Sequence, residues 1–383
     1  MKNIMRTNIC KICILYLVVF SFGCNNRKAL DGTIDELNYL KELEKIEVPT
    51  SISDLTKKLS YYQFIQLETN SNCLIGEISK LLKYDEKFII FDKITKSVFC
   101  FDLSGNFLHK ISKQGKGPGE YSTLGDININ KKKQCIELYD RAKKVILSFT
   151  MDGKFVSEQK VDMYFDSFVN IDANSYIFQK ASDKINYYNF YLISGGKIKD
   201  KKVKCRGFDN TKIQNQITKN QDQFFMTHGC SKVVYSIKDK SIVPKYLVDF
   251  GDNNLPTKML YKQEVEINDY LKLFLKSYSM MVMGFYEDDK YITFSYAKNK
   301  KLFWSIKDKK NGTVQNGNVF LFGKVIIPPM YKCDNLFYSV IDPNTIDRDK
   351  LRSQLSDLDK KFTEQGLECG SDDLNPIILK FCL

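Results

Sequence analysis

The sequence predicts an all-β fold: a six-bladed β-propeller whose last blade is closed by an N-terminal strand, with short helical insertions between blades. Three observations support this. A β-rich segment recurs at a fixed offset, short apolar runs alternate with turn residues, and aromatic residues suited to strands are abundant, with 27 Phe and 22 Tyr. The chain has 383 residues, and six blades of roughly 45–50 residues would use most of it as one closed ring.

The repeat is the strongest of these observations. Residues Phe91–Phe107 align without a gap on Tyr139–Phe155 at a constant offset of 48 (139 − 91). Asp, Lys, Phe, Gly and Phe are shared at positions 92/140, 96/144, 101/149, 105/153 and 107/155. A β-rich repeat of this length is typical of a propeller blade.

Turn residues recur at regular positions in the first two blades. Blade one is predicted over about Ile78–Ile111 and blade two over about Asp126–Val161. Gly105 and Gly153 stand where a tight hairpin needs positive φ, so the Ser-Gly and Asp-Gly pairs predict turns between neighbouring strands.

The later blades are predicted from more degenerate strand-like runs. These runs are Ser175–Phe178 and Asn189–Ile193 for blade three; Phe224–Met226, Lys232–Ile237 and Lys245–Phe250 for blade four; Met280–Phe285, Tyr291–Tyr296 and Lys301–Ile306 for blade five; and Val319–Phe322 with Leu336–Ile341 for blade six. We expect Leu59–Leu67 to pair with Pro376–Cys382, because this closes the ring and removes two exposed sheet edges. Gln263–Ser277 and Asp347–Glu368 have helical spacing and are predicted insertions.

The N-terminus predicts export. A basic start precedes the apolar run Ile12–Phe22, which is too short to span a bilayer as a helix and is typical of a signal peptide. It ends Ser21-Phe22-Gly23-Cys24, which resembles a bacterial lipobox with Ser where Leu is commonest. We therefore predict a lipoprotein signal peptide over 1–23, lipidation of Cys24, a polar tether over 24–56 and the propeller over 57–383, with simple secretion as the alternative.

Charge and localisation restrict the partners. The net charge is +12, and about +9 without Lys2, Arg6 and Lys11 of the signal segment (12 − 3). A solvated lysine-rich surface explains this excess, and attraction to acidic glycans or anionic head groups is the sharper alternative. Nucleic acid is excluded as a partner because the chain is predicted to leave the cytoplasm. The residues after Cys24 carry no acidic run of the kind associated with surface export, which favours the periplasmic side of the outer membrane.

With these pieces in place, the chain resembles the six-bladed propeller lipoproteins of Bacteroidetes, relatives of the NHL-repeat propellers. The resemblance covers about Leu59–Leu383. Its residues are Ile78–Lys80, Phe88–Asp92, Gly115–Tyr121, Pro244–Gly251 and Asn375–Ile378. It implies the fold and an extracytoplasmic location, and it implies little chemistry.

One glycine-rich segment is the candidate binding site. Gly115–Tyr121 (Gly-Lys-Gly-Pro-Gly-Glu-Tyr) is predicted to join the outer strand of blade one to the inner strand of blade two. Its glycines suit a sharp crossover, and backbone amides of such a turn can also form an anion-binding nest. If the loop binds a ligand, we expect Lys116, Glu120 and Tyr121 to contact it.

No catalytic set, metal site or cofactor is identifiable from the sequence. Asp92 and Asp140 fit Asx-type turn caps, with a ring of calcium ligands as the alternative. The run Glu287-Asp288-Asp289 is predicted to be a solvated hairpin turn. The only two histidines, His109 and His228, lie on separate blades and cannot rebuild a multi-histidine zinc site.

Three function classes follow. The first is a non-catalytic, envelope-anchored module that binds a glycan, a peptide or a partner protein at one face of the ring. The second is a lyase or hydrolase with its site at the channel mouth, which convergent acidic and basic side chains around a deep axial pocket would favour. The third is a scaffold subunit of an outer-membrane assembly, which an exposed apolar patch would mark.

Overall fold

The chain folds into six sheets arranged as the blades of a propeller. The structure, a computed structural model, describes residues 40–161, 163–180, 187–205, 216–256, 278–299, 301–317, 329–341 and 374–383, with isolated positions from 259 to 276. Five sheets have four strands and one has five. The predicted all-β, six-bladed fold is confirmed. Within the described residues, no helix is long and apolar enough to cross a membrane.

Each blade is an antiparallel sheet whose strands follow one another from the ring axis outward. Blade 1 contains β3 (Ile78–Tyr84), β4 (Lys87–Asp92), β5 (Ser97–Asp102) and β6 (Phe107–Ile111); blade 2 contains β7 (Leu124–Asn130), β8 (Cys135–Asp140), β9 (Val145–Thr150) and β10 (Phe155–Lys160); blade 3 contains β11 (Ser167–Asn170), β12 (Ser175–Gln179), β13 (Tyr188–Ser194) and β14 (Lys197–Lys204).

The remaining blades include both ends of the described chain. Blade 4 contains β15 (Ile217–Asn220), β16 (Gln223–Met226), β17 (Val233–Lys238) and β18 (Ser241–Asp249), with β1 (Glu44–Glu47) added outside; blade 5 contains β19 (Ser279–Glu287), β20 (Tyr291–Lys298), β21 (Lys301–Asp308) and β22 (Val314–Gly317); blade 6 contains β23 (Tyr331–Cys333), β24 (Leu336–Ile341), β25 (Ile377–Cys382) and β2 (Tyr61–Gln66).

The strand directions divide the turns between two faces of the ring. In an antiparallel four-stranded blade, the turns after the first and third strands lie at one end, which we call the hairpin face. The turn after the second strand and the connection to the next blade lie at the other end, which we call the crossover face. The glycine-rich segment therefore lies on the crossover face, between β6 and β7.

The N-terminal strand closes the ring, as the sequence predicted. β2 is the outermost strand of blade 6 and pairs antiparallel with β25 along its whole length, from Tyr61 opposite Cys382 to Gln66 opposite Ile377. The inner strands β23 and β24 of the same sheet come from the C-terminal part of the chain. One blade is thus assembled from two ends of the sequence.

The segment before β2 is fastened to the outside of the ring. β1 pairs in parallel with β18, and Ser53 N then donates to the carbonyl of Asn316 on β22 at 2.7 Å. The side-chain amide of Asn316 donates back to the carbonyls of Pro49 and Ser51. Residues 44–56 belong to the stretch assigned to a tether from the sequence, and in the structure they form a strap across blades 4 and 5.

The core lies between the blades, because the middle strands are buried on both faces. On β4, Ile89 and Phe91 pack toward blade 2, while Phe88 and Ile90 pack toward blade 6. All four side chains are at most 5% exposed. This explains why the middle strands are continuous apolar runs rather than alternating patterns.

Two buried aspartates link the turns of blades 1 and 2 to the chain entering each blade. Asp92 accepts the amides of Gly76, Glu77 and Ile94 and the hydroxyl of Thr95 at 2.8–3.0 Å. Asp140, at the equivalent repeat position, accepts the amides of Ser122, Thr123, Ala142 and Lys143. Both side chains are 0% exposed. The predicted Asx-type turn is confirmed, since each carboxylate caps the amide two residues ahead.

The sequence did not predict every strand. The inner strands β11, β15 and β23, the outer strands β14 and β22 and the added strand β1 were not predicted. The first three are only three or four residues long, too short for a period to be recognised. The run Val319–Phe322, predicted in blade six, lies outside the described residues, as do Asp347–Glu368 and most of Gln263–Ser277.

We expect Asp140→Ala to destabilise the fold by about 3 kcal/mol, because several buried amides lose their acceptor at once. A lower melting temperature in calorimetry measures this. Asp102→Ala is the matched control. Its carboxylate caps Ser104 N and Asn106 N in the same way but in an exposed turn, where water replaces it, so we expect a loss of about 1 kcal/mol or less. Equal losses of stability in the two variants would contradict the structural role assigned to the buried Asp140 carboxylate.

We expect Gly317→Ala to displace the strap. A Cβ at Gly317 would overlap the carbonyl oxygen of Ser53, a backbone atom, whereas a Cβ at Gly125 would meet a ring atom of Tyr139 at 3.3 Å. Faster tryptic cleavage at Lys57 and Lys58 than in the wild type is the expected result, with Gly125→Ala as the control. Unchanged cleavage in Gly317→Ala would show that the strap does not depend on this contact.

Candidate functional site

The glycine-rich crossover folds into a compact loop held by its own backbone. Gly115 N donates to the carbonyl of Tyr121, and Tyr121 N donates to the carbonyl of Lys113, both at 2.9 Å. Gly119 has φ +72°, and a Cβ there would lie 2.7 Å from the ring of Phe155. Glycine is therefore required at this position both by the backbone conformation and by the close approach of a side chain.

The three residues predicted to bind a ligand have different surroundings. Glu120 turns its carboxylate back into the loop and accepts Gly117 N at 2.8 Å. Tyr121 is 0% exposed and donates its hydroxyl to the carbonyl of Lys96 at 2.6 Å; burial raises its pKa to about 12. Lys116 is exposed. Glu120 and Tyr121 thus shape the loop, and Lys116 alone of the three extends from it into solvent.

The loop joins the turns of the two neighbouring blades. On one side, the hydroxyl of Tyr121 reaches the turn of blade 1 at Lys96, and the side-chain amide of Gln114 donates to Thr95 O at 3.1 Å. On the other side, Nζ of Lys143 in the turn of blade 2 donates to the carbonyls of Gly117 and Glu120 at 3.1 and 2.7 Å. Three crossover-face segments therefore form one surface.

This surface is rich in lysine. We call five of the lysines on the three connected segments the crossover patch: Lys96, Lys113, Lys116, Lys143 and Lys144. The first three are exposed and the other two are half-buried. Nζ of Lys144 lies 4.3 Å from the ring centroid of Tyr164, a side chain that is 50% exposed. The patch thus combines positive charge at the surface with an accessible aromatic ring.

Four carboxylates near the crossover patch are turned inward or paired, whereas the side chain of Glu77, beside the turn of blade 1, is exposed. Asp92 and Asp140 are buried under amide donors, and Glu120 is held by Gly117 N. Asp166 accepts a hydrogen bond from Arg141 at 2.9 Å. Because these negative charges are already satisfied by the protein, the exposed lysines give this part of the described surface an excess of positive charge.

Sequence reasoning identified Lys116 and missed the other members of the patch. A signal for two of them was present, since Lys96 and Lys144 occupy the same position of the 48-residue repeat. Both adopt positive φ, +52° and +56°, at the end of their turns. Nothing in a single sequence indicates that the loop between them would be fastened to both turns.

Polar contacts link neighbouring blades around the ring, and all of them lie on or directly after inner strands except that of Lys245, which is on the outer strand β18. The contacts, in order around the ring, are Lys80 Nζ to Asp126 at 3.0 Å, Phe168 N to Asp126 at 2.9 Å, Lys219 Nζ to Asn170 O at 3.1 Å, Lys245 Nζ to Glu287 at 2.6 Å, Lys332 Nζ to Asp288 at 2.8 Å, and Tyr331 hydroxyl to Lys83 O at 3.4 Å. Strands β15 and β23 approach within 8 Å between Cα atoms across the ring, so the channel is narrow there.

Asp126 on the axis and Glu287 at the junction of blades 4 and 5 are engaged in structural ion pairs. Burial raises the pKa of Asp126, although Lys80 lies against it. Burial acts in the same direction on Glu287, but the ammonium groups of Lys245 and Lys309 outweigh it and leave the Glu287 pKa below its ordinary value. Glu287 is 6% exposed, so its predicted place in a solvated turn was wrong: two lysines cover it.

The possible metal-binding side chains are spread over different blades. Among the described residues, no three His, Cys, Asp or Glu side chains converge in a way that could hold a metal ion. His109 lies on β6 and His228 follows β16, on blades 1 and 4. The predicted lipidation site, Cys24, lies outside the described residues.

Solved structures share the fold. A protein of Bacteroides fragilis described as exported is 17% identical, with a TM-score of 0.70, over 88% of this chain and 99% of its own. A DUF4221 family member from Bacteroides vulgatus is 9% identical, with a TM-score of 0.50, over 85% of this chain and 96% of its own. At these identities the likeness establishes the fold and nothing about activity.

Sequence comparison extends over almost the whole propeller. No functionally curated protein is detectably similar to the chain. A family model with the description "Domain of unknown function (DUF4934)" matches residues 38–381, a span that begins just before the strap and ends within β25. The chain therefore belongs to the DUF4934 family.

Proposed function

We propose that the protein is a non-catalytic, envelope-anchored binding module and that the crossover patch receives an acidic glycan. The observation that carries this proposal is the fastening of three lysine-bearing segments into one surface whose neighbouring carboxylates are already satisfied. A rigid arrangement of cations favours a polyanion because little conformational freedom is lost on binding.

The choice of a glycan rests on the aromatic ring in the patch. Tyr164 is half exposed and lies beside Lys144, so a sugar ring can stack on Tyr164 while its carboxylate or sulfate meets the ammonium group. An acidic peptide offers the charge but gains less from a flat ring. If the crossover patch binds an acidic peptide and no glycan, the proposed ligand class becomes acidic peptides.

The proposal also includes export and a lipid anchor. The short apolar run before Cys24 and the small residue preceding it support a lipidated N-terminus. Glu44 follows Cys24 by 20 positions (44 − 24), a separation that spans at most about 70 Å when the chain is extended. That reach would let the ring stand clear of a membrane or lie against it.

We expect the triple variant Lys96→Gln, Lys113→Gln, Lys116→Gln to bind acidic glycans such as polygalacturonate about tenfold more weakly, because three exposed charge pairs are lost. Titration calorimetry at low and high salt measures this, and the wild-type affinity should fall as salt rises. The control is Lys197→Gln, Lys199→Gln, Lys202→Gln, which removes the same charge from blade 3. Equal weakening in both variants would show non-specific attraction and refute the patch.

We expect Cys24→Ala to move the protein from the membrane fraction to the soluble fraction, because no thioether-linked lipid can form. Immunoblotting of fractionated cells after export measures the distribution. A Ser21→Leu variant, which brings the lipobox closer to its commonest form, should stay with membranes. Membrane association of Cys24→Ala that survives a high-salt wash, which removes electrostatic binding, would refute the lipid anchor while leaving the glycan proposal intact.

A further inference from the structure

The outer strand of blade 3 carries an unusual concentration of positive charge. β14 has five lysines among its eight residues, and all five are exposed. We call these residues the β14 stripe: Lys197, Lys199, Lys201, Lys202 and Lys204. The one acidic residue of the strand, Asp200, accepts the amide of Ile242 in blade 4 at 2.8 Å. Its charge is therefore directed at the blade junction and away from the outer edge.

Protection of an open sheet edge does not account for this charge. β6, β10 and β14 are the outermost strands of blades 1, 2 and 3, and each presents an edge that another strand could join. β6 (Phe-Leu-His-Lys-Ile) and β10 (Phe-Val-Ser-Glu-Gln-Lys) each contain a single lysine. One lysine is therefore enough to protect the edge of β6 or of β10, and β14 has four more lysines than this protection requires.

The β14 stripe lies beside the point where the N-terminal segment reaches the ring. Leu40 and Leu43 pack against the apolar cluster between blades 3 and 4, and so do Val203 of β14 and Ile237 of β17. β1 runs parallel to β18, which leads from the hairpin face to the crossover face. The chain before β1 therefore leads back toward the hairpin face, next to blade 3.

We infer that the β14 stripe lies against an anionic membrane surface, the membrane in which the proposed lipid anchor is held. A basic cluster close to a lipid attachment point adds electrostatic attraction to anionic head groups. Ile198, inside the stripe and 50% exposed, can enter the head-group layer beside the lysines. This inference concerns a surface other than the crossover patch and shares with the proposed function only the anchor.

Vesicle sedimentation tests this inference with the processed chain carrying Cys24→Ala, so that no lipid dominates the binding. This parent protein, with an unchanged β14 stripe, should sediment with vesicles of phosphatidylglycerol and phosphatidylcholine. It should not sediment with vesicles of phosphatidylcholine alone. The triple variant Lys197→Gln, Lys199→Gln, Lys202→Gln should bind the anionic vesicles on the order of a hundredfold more weakly, since each lysine near an anionic surface strengthens binding about fivefold. Lys201 is kept because it lies 4.8 Å from the ring of Tyr188.

The matched control is Lys96→Gln, Lys113→Gln, Lys116→Gln, which removes the same charge from the crossover patch and should bind vesicles within about twofold of the wild type. Melting temperatures confirm that both variants are folded.

Failure of the parent protein to sediment, equal binding by the β14 variant, or loss of binding in the control would each overturn the inference. Soluble polyglutamate that displaces the vesicles completely would show an acidic polymer to be the partner instead. A failed glycan titration leaves this result unaffected, because the two triples test different surfaces.

Discussion

The whole structure depends on one constraint: the middle strands of the blades are largely apolar and are buried on both faces, as blade 1 shows most clearly. β4 sends Ile89 and Phe91 into one neighbour and Phe88 and Ile90 into the other, so no blade can bury its core alone. Only a closed ring satisfies every blade at once. Removal of a side chain such as Phe88, buried against Tyr338 of blade 6, therefore weakens an interface between blades as much as the blade itself.

The same closure explains the polar contacts around the axis. Inner strands converge there, and their side chains have little room and little water, so lysines and carboxylates pair across the junctions. Lys332 is 1% exposed and is neutralised by Asp288. Glu287, at the junction of blades 4 and 5, forms ion pairs with two lysines. These paired charges join neighbouring blades, whereas the charges of the crossover patch and the β14 stripe stay in contact with solvent.

The repeat made blades 1 and 2 predictable to within about two residues, because Asp92, Gly105 and their counterparts mark the same turns twice. The closing strand could be predicted from the need to remove sheet edges. Short inner strands could not be predicted, since Ile217–Asn220 is too brief to show a period and is defined by its neighbours. β1 was missed because Glu-Lys-Ile-Glu has one apolar residue, and its pairing depends on the exposed edge of β18. Tyr121 was assigned to ligand contact on residue type, and only tertiary packing shows that its hydroxyl is bonded to the turn of blade 1.

The pairing of β2 with β25 has a consequence for the order of events during synthesis. β2 is made early and its partner Ile377–Cys382 is made much later, a separation of about the whole domain. Until those residues emerge, Phe64 has no partner in Leu379 and blade 6 has no third strand. Blades 1 to 5 can assemble from local pairings as the chain appears, but the ring stays open to other chains at this one seam. A chain truncated by even a few residues at its C-terminus would therefore lose the step that completes the molecule, although it would retain nearly all of its sequence.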